Sequence, residues 1–159
     1  MIRRTKLRMG VCILLICMNA AFIWGNSLLP GEISAALSSA VKGWLVAFFP
    51  GSGVGGVNGH HLLRKAAHFL EFCFLGGSLS WLGWMLSTRF SGRMLLPWLG
   101  GLLTACVDEM IQRFVPGRGP SVIDVGIDAI GAALGVLLLS LVLWIQTRIS
   151  MKKLEENKK

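Results

Sequence analysis

The sequence predicts an all-α integral membrane protein: a bundle of four transmembrane helices, both termini cytoplasmic, with an amphipathic interfacial helix in the first outer loop. Three observations carry this reading. Hydrophobic residues fill 53% of the 159 positions and charged residues only 15%, against ~25% charged in an average soluble domain. Four stretches supply the ~20 mostly apolar residues that a spanning helix needs. Lysine and arginine are shared unequally between the segments that join those stretches, which sets orientation. A chain of this length holds one domain, residues 1–159. The mean hydropathy of +0.64 excludes a disordered chain, and the ten-residue alternations of a membrane β-barrel are absent.

The first span covers residues 7–24. It follows Arg3, Arg4, Lys6 and Arg8, and its apolar run continues past Val11–Ile16 to Trp24 without an A-x-A site. Ile16 before Cys17 also rules out a lipoprotein cleavage motif, so the segment reads as an uncleaved helix. The outer loop, 25–65, contains Ile33–Phe49, where Ile33, Leu37, Val41, Trp44, Leu45 and Phe48 share a helical face opposite Ser34, Ser38 and Lys42. As a fifth span it would bury Lys42 near its centre at ~2.5–3.5 kcal/mol, so it is expected to lie in the outer interface. Gly51-Ser52-Gly53-Val54-Gly55-Gly56 matches G-x-G-x-x-G, but Pro50 and no strand precede it, so it reads as a loop.

The remaining spans are 66–86, 95–114 and 122–145, followed by a cytoplasmic tail, 146–159. The N-terminal segment, the 87–94 loop (Arg89, Arg93) and the tail hold eleven of the sixteen basic residues. The other side has Lys42, Arg64, Lys65, Arg113 and Arg118. Both termini are therefore expected inside, and Trp81, Trp84, Trp98 and Trp144 fall near the cytoplasmic ends, where amphipathic rings prefer to sit. The net charge of +8 sits largely at the chain ends as membrane flanks, not as a soluble patch, which argues against nucleic acid as a partner. Cys12, Cys17, Cys73 and Cys106 lie in apolar runs without paired spacing and read as packing residues.

Five of the eight acids, Glu71, Asp108, Glu109, Asp124 and Asp128, fall inside the spans, as does His68. Ionisable groups in lipid are costly and mark functional sites by default. Arg64, Lys65, His68 and Glu71 occupy the outer turns of the second span, Asp108, Glu109, Gln112 and Arg113 those of the third, and Asp124 and Asp128 those of the fourth. Steps of three and four put Arg64, His68 and Glu71 on one stripe, Asp108 or Glu109 with Gln112 on a second and Asp124 with Asp128 on a third, so three helices deliver polar groups to one level, within roughly 10 Å of the outer surface. The expected binding residues are Arg64, Lys65, His68, Glu71, Asp108, Glu109, Gln112, Arg118, Asp124 and Asp128. Ser121 and Asp124 have the spacing of a capping box, and Pro116-Gly117 that of a turn. His60, His61 and His68 show no metal-ligand spacing, so no metal or other cofactor is expected. No serine nucleophile arrangement stands out; Ser27 is the one outer serine near a span end that draws attention.

These motifs resemble the VanZ-like family of small bacterial membrane proteins. One signature runs Arg64-Lys65-Ala66-Ala67-His68-Phe69-Leu70-Glu71-Phe72, like the family's R-K-x-x-H-x-x-E-[YF]. The second runs from Asp108-Glu109 through Gln112, Phe114, Pro116 and Arg118, like D-E-x-x-Q-x-F-x-P-x-R, and continues with Asp124, Asp128 and Gly131-Ala132-Ala133-Leu134-Gly135. Asn26-Ser27 resembles a short serine-containing feature of the family. Ile111 stands where many relatives have His, and Asp128 where Asn is usual. The resemblance implies an envelope role in the bacterial cell membrane. The family is named for a protein that lowers susceptibility to teicoplanin, a lipid-tailed glycopeptide, and has no agreed reaction.

Three functions fit these residues. The first is a pocket that recognises an envelope amphiphile: a lipid head group, a cell-wall precursor or a lipoglycopeptide. The second is an intramembrane enzyme on a lipid-linked substrate, with His68, Glu71, Asp108 and Glu109 as acid/base candidates. The third is a structural helical partner within an envelope complex. Neither a repeat nor a pair of broken helices points to a transporter, and no oligomeric state is implied.

Overall fold

The structure is a computed structural model that describes residues 2–49 and 59–157, with the backbone alone at 2–4 and 60. The elements in order are α1 (Ile2–Ser27), α2 (Gly31–Phe48), α3 (Gly59–Leu86), a π-helical turn (Ser91–Leu95), α4 (Leu96–Gln112) and α5 (Val122–Glu156). There is no strand among the described residues. Thr5–Ser27, His61–Leu86, Ser91–Gln112 and Val122–Glu156 are long and apolar enough to cross a membrane, and they correspond to the four expected spans. The glycine-rich run 51–56 and the side chain of His60 lie outside the described residues.

The helices extend beyond the apolar stretches. α1 begins within the basic N-terminal segment, α3 begins at Gly59 rather than near 66, and α5 continues through most of the expected tail. Hydropathy marks the part of a helix that lipid favours, whereas Lys, Arg, Glu, Met and Leu propagate a helix well in water. The third span ends at Gln112, two residues early, because the chain turns through Arg113 and Phe114.

Helix α3 touches every other element and forms the axis of the bundle. Its closest partner is α5, and glycines explain the closeness. A Cβ at Gly76 would strike the Ala132 carbonyl, one at Gly131 the Phe69 carbonyl, and one at Gly135 the Cys73 carbonyl. In lipid, helices gain little from burying apolar surface against each other, so small residues that admit close backbone packing drive association. Around this seam, Ile23, Phe72, Leu75 and Ala105 form the buried core, with Ile16, Trp24, Leu79 and Val125 packed against it.

A polar network of serines, Trp84 and Arg93 ties the helix ends remote from the acidic cluster. Ser80 Oγ donates to the Arg93 carbonyl (3.1 Å) and lies 2.9 Å from Ser140 Oγ, which also accepts from Trp84 Nε1 at 3.2 Å. Arg93 Nε donates to the Ser87 carbonyl (2.7 Å), and its guanidinium lies 4.0 Å from the centre of the Trp84 ring. That geometry favours a cation–π contact.

Helix α2 forms where its periodicity predicts, and most of its apolar face is exposed, with Leu45 half-buried. Ile33, Leu37, Val41, Trp44 and Phe48 are exposed, whereas Ser34 is buried and Ser38 and Lys42 are half-buried. Ile33, Trp44 and Phe48 thus point away from the bundle, whereas Leu37 and Val41 border a cavity between this helix, α1 and α3. The helix is fastened at its start: Gly31 N donates to the Pro116 carbonyl (3.0 Å), and a Cβ at Gly31 would collide with the Gly117 carbonyl. Gly117 has φ +74°, a conformation that favours glycine. The Pro116-Gly117 turn therefore exists as the sequence implies, and it also seats α2.

Candidate functional site

The α4–α5 hairpin is built from exchanged caps. Ser121 is the N-cap of α5 and its Oγ accepts from Asp124 N at 3.2 Å. A full capping box would turn the Asp124 carboxylate back to Ser121 N. That position is filled from another helix: Ser121 N donates to Glu109 Oε2 at 2.7 Å. Asp124 is turned instead to α3, where its Oδ1 accepts from Lys65 Nζ at 2.6 Å. The expected capping box is thus corrected to a cap shared between α4 and α5, which frees Asp124 to pair with a cation.

All ten expected binding residues belong to one connected cluster at this end of the bundle. Arg64, Lys65, His68, Glu109, Gln112, Asp124 and Asp128 line a cavity of about 10 Å³ together with Ile127, room for about one water-sized sphere. Asp108 is completely buried, and its Oδ2 accepts from Gln112 Nε2 at 2.8 Å. Glu71 and Arg118 join Arg64 and His68 around a second, larger cavity of about 450 Å³ between α1, α2 and α3. Phe22, Leu29, Leu37, Val41, Leu63 and Leu70 supply its apolar walls, and Asn26, Ser34 and Ser38 add neutral polar groups.

Arg118 sits where these parts meet. Its Nη2 donates to the Asn26 carbonyl at 3.1 Å, while its buried Nε and Nη1 have no partner among the described residues. Burial first, and the nearby Arg64 guanidinium second, push Arg118 below its ordinary pKa, with Asp108 and Glu109 opposing. His68 Nδ1 lies 4.0 Å from Glu71 Oε2, too long for a hydrogen bond. His68 Nδ1, Glu71 Oε2 and Asp108 Oδ1 are also buried and without a hydrogen-bond partner among the described residues. His68, Asp108 and Asp128, each from a different helix, bring one potential ligand atom apiece within 4.8 Å of one another.

Asn26 and Ser27 have a larger place in the cluster than their sequence position implies, and Arg113 has a smaller one. Asn26 Nδ2 donates to Glu71 Oε1 at 3.3 Å, and Gln112 Nε2 donates to the fully buried Ser27 Oγ at 3.1 Å. Asn19 Nδ2 adds a bond to the Glu71 carbonyl at 3.1 Å. The signal for Asn26 and Ser27 was their position at the end of a span. Arg113, which the sequence places beside Asp108, Glu109 and Gln112 in the outer turns of the third span, is exposed because the turn after Gln112 swings it outward. Of the cysteines, Cys12 is buried and donates to the Ser78 carbonyl at 3.3 Å, whereas Cys17 and Cys106 are exposed and do not pack in the core.

A family model described as VanZ/LLP1 matches residues 10–144. No curated protein and no solved structure matches the chain. The matched stretch contains every residue of the cluster and most of the chain, in a protein with four helices able to cross a membrane. This chain is a multi-pass membrane protein that belongs to the VanZ/LLP1 family.

Proposed function

We propose that the protein recognises an envelope amphiphile at the outer leaflet of a bacterial cytoplasmic membrane. In this reading both termini are cytoplasmic, the cluster faces outward, and α2 lies in the outer interface. The observation that carries the proposal is the pairing of two features. A cavity of about 450 Å³ has apolar walls and a charged end, and that end includes Arg118 with two buried, unpartnered donors. Arginine presents its donors as a planar fork that matches carboxylate or phosphate. An anionic head group would meet Arg118 and Arg64 while its lipid tail followed Phe22, Leu37, Val41 and Leu70. A lipid-tailed glycopeptide, a cell-wall precursor and a phospholipid all have this two-part chemistry.

The test is susceptibility to teicoplanin beside vancomycin in a sensitive bacterium expressing wild type, Arg118→Ala or Glu109→Gln at matched membrane levels. Wild type should protect against teicoplanin selectively. Arg118→Ala removes charge-assisted bonds worth ~1.5–3 kcal/mol, a roughly 10- to 150-fold loss of affinity, and should abolish protection. Full protection by stable Arg118→Ala would sink the pocket reading, and no protection by well-expressed wild type would sink the teicoplanin role.

A second reading is structural. Lys65–Asp124, Glu109–Ser121 and Gln112–Ser27 tie four helices together. If that is their whole role, variants should lose abundance and activity in parallel. A stable, inactive Arg118→Ala protein separates the two readings.

A further inference from the structure

We infer that His68, Asp108 and Asp128 form a binding site for one divalent transition-metal cation, of the Zn²⁺ or Mn²⁺ class, inside the helix bundle. Three helices contribute to it: α3 gives an imidazole, and α4 and α5 give one carboxylate each. The candidate ligand atoms all lie within 4.8 Å of one another. Donors around a single Zn²⁺ at about 2.0–2.2 Å stand roughly 3.3 Å apart, so small side-chain rotations close the set. Asp108 is completely buried and Asp128 is 2% exposed.

Two further observations point to a ligand. Asp108 Oδ1 and His68 Nδ1 are buried without a hydrogen-bond partner among the described residues, a costly state unless something is bound. A cavity lined by His68, Asp128 and Gln112, the last of which is bonded to Asp108, has a volume of about 10 Å³ and admits one water-sized sphere.

Charge points the same way. The cluster holds five acids, Glu71, Asp108, Glu109, Asp124 and Asp128, and three basic groups, Arg64, Lys65 and Arg118, since Arg113 turns away. With all carboxyls ionised and histidine neutral, two negative charges remain. Lys65 is bonded to Asp124 and Arg118 to the Asn26 carbonyl, and neither places a hydrogen bond on Asp108 or Asp128. A single divalent cation on those two carboxylates balances the cluster. The imidazole donor favours Zn²⁺, a borderline cation, with Mn²⁺ as a weaker occupant, over Mg²⁺ and Ca²⁺, which favour all-oxygen sites.

The test uses the full chain, purified in detergent and stripped with chelator, then titrated with MnCl₂ or ZnCl₂. Wild type should bind one equivalent of either metal, and Zn²⁺ should displace Mn²⁺ where excess Mg²⁺ does not. Asp128→Asn, nearly the same shape, should weaken binding at least tenfold. Bound Mn²⁺ should show nitrogen hyperfine coupling that disappears in His68→Gln. These signals come from the metal itself, so failure of Asp108→Asn to fold would not blunt the test. Metal retention by wild type no greater than by Asp128→Asn would overturn the site and leave two protonated carboxyls as the way the charge is balanced. Displacement of Mn²⁺ by equimolar Mg²⁺ would overturn the nitrogen-donor assignment. Neither result bears on Arg118 and the larger cavity, whose own test is antibiotic susceptibility.

Discussion

At the scale of single residues, Gln112 is the most connected neutral side chain of the cluster. Its amide donates both to Asp108 Oδ2 and to Ser27 Oγ. Gln112→Leu removes both bonds and leaves an ionisable group and a hydroxyl buried without them, each costing ~1–3 kcal/mol. Ser27→Ala removes one bond and leaves Gln112 its bond to Asp108, so it should cost only ~1 kcal/mol. Thermal or denaturant unfolding in detergent should rank Gln112→Leu well below Ser27→Ala, and equal stabilities would contradict the assigned network. The charged residues here were legible in the sequence because an ion in a span is too expensive to be incidental. Asn26 and Ser27 were only faintly so, since neutral polar residues at a span end cost little. Arg118 is among the binding residues expected from the sequence and Arg113 is not; the turn after Gln112 leaves Arg113 exposed, while Arg118 joins the cluster.

At the scale of elements, the glycine seam between α3 and α5 is the joint on which the bundle depends. Gly135→Val would drive a branched side chain into the Cys73 carbonyl and the Gly77 nitrogen. Because backbone cannot swing aside, the cost should exceed the ~1–3 kcal/mol usual for overpacking. Membrane levels should collapse, whereas Leu137→Val, at an exposed position of the same helix, should leave them unchanged. Wild-type levels of Gly135→Val would refute the seam. Ser121→Ala removes the cap of α5 and should cost about 1 kcal/mol, read as an earlier unfolding midpoint. The helices were legible from apolar run length and α2 from its period. Their ends were not, because helix continues wherever side chains permit it and hydropathy registers only the lipid-facing part. The seam had a signal in Gly131 and Gly135, which carry the G-x-x-x-G spacing of a close-packing helix face, but one sequence does not say which helix meets that face.

At the scale of the whole molecule, the expected orientation rests on eleven basic residues against five. Single cysteines replacing Gly119, where a side chain meets open space, and Ser91, which is exposed, test it in a background cleared of the four native cysteines. Position 119 should react with an impermeant thiol reagent on intact cells, and position 91 only after permeabilisation. The reverse pattern would place the cluster on the cytoplasmic side. Charge asymmetry acts during insertion, so orientation can be asked of the sequence without knowledge of packing, while the cavity between α1, α2 and α3 exists only once the helices have met. The closeness of α3 and α5 has a mechanical consequence. Carbonyls of one helix sit where side chains of the other would have been, so the pair cannot slide along its length without collision. A thinner or thicker bilayer is normally accommodated by helix tilt or local lipid deformation. Here tilt must be shared by the locked pair, so the heights of Lys65 and His68 relative to Asp124 and Asp128 are held while the surrounding lipid adjusts.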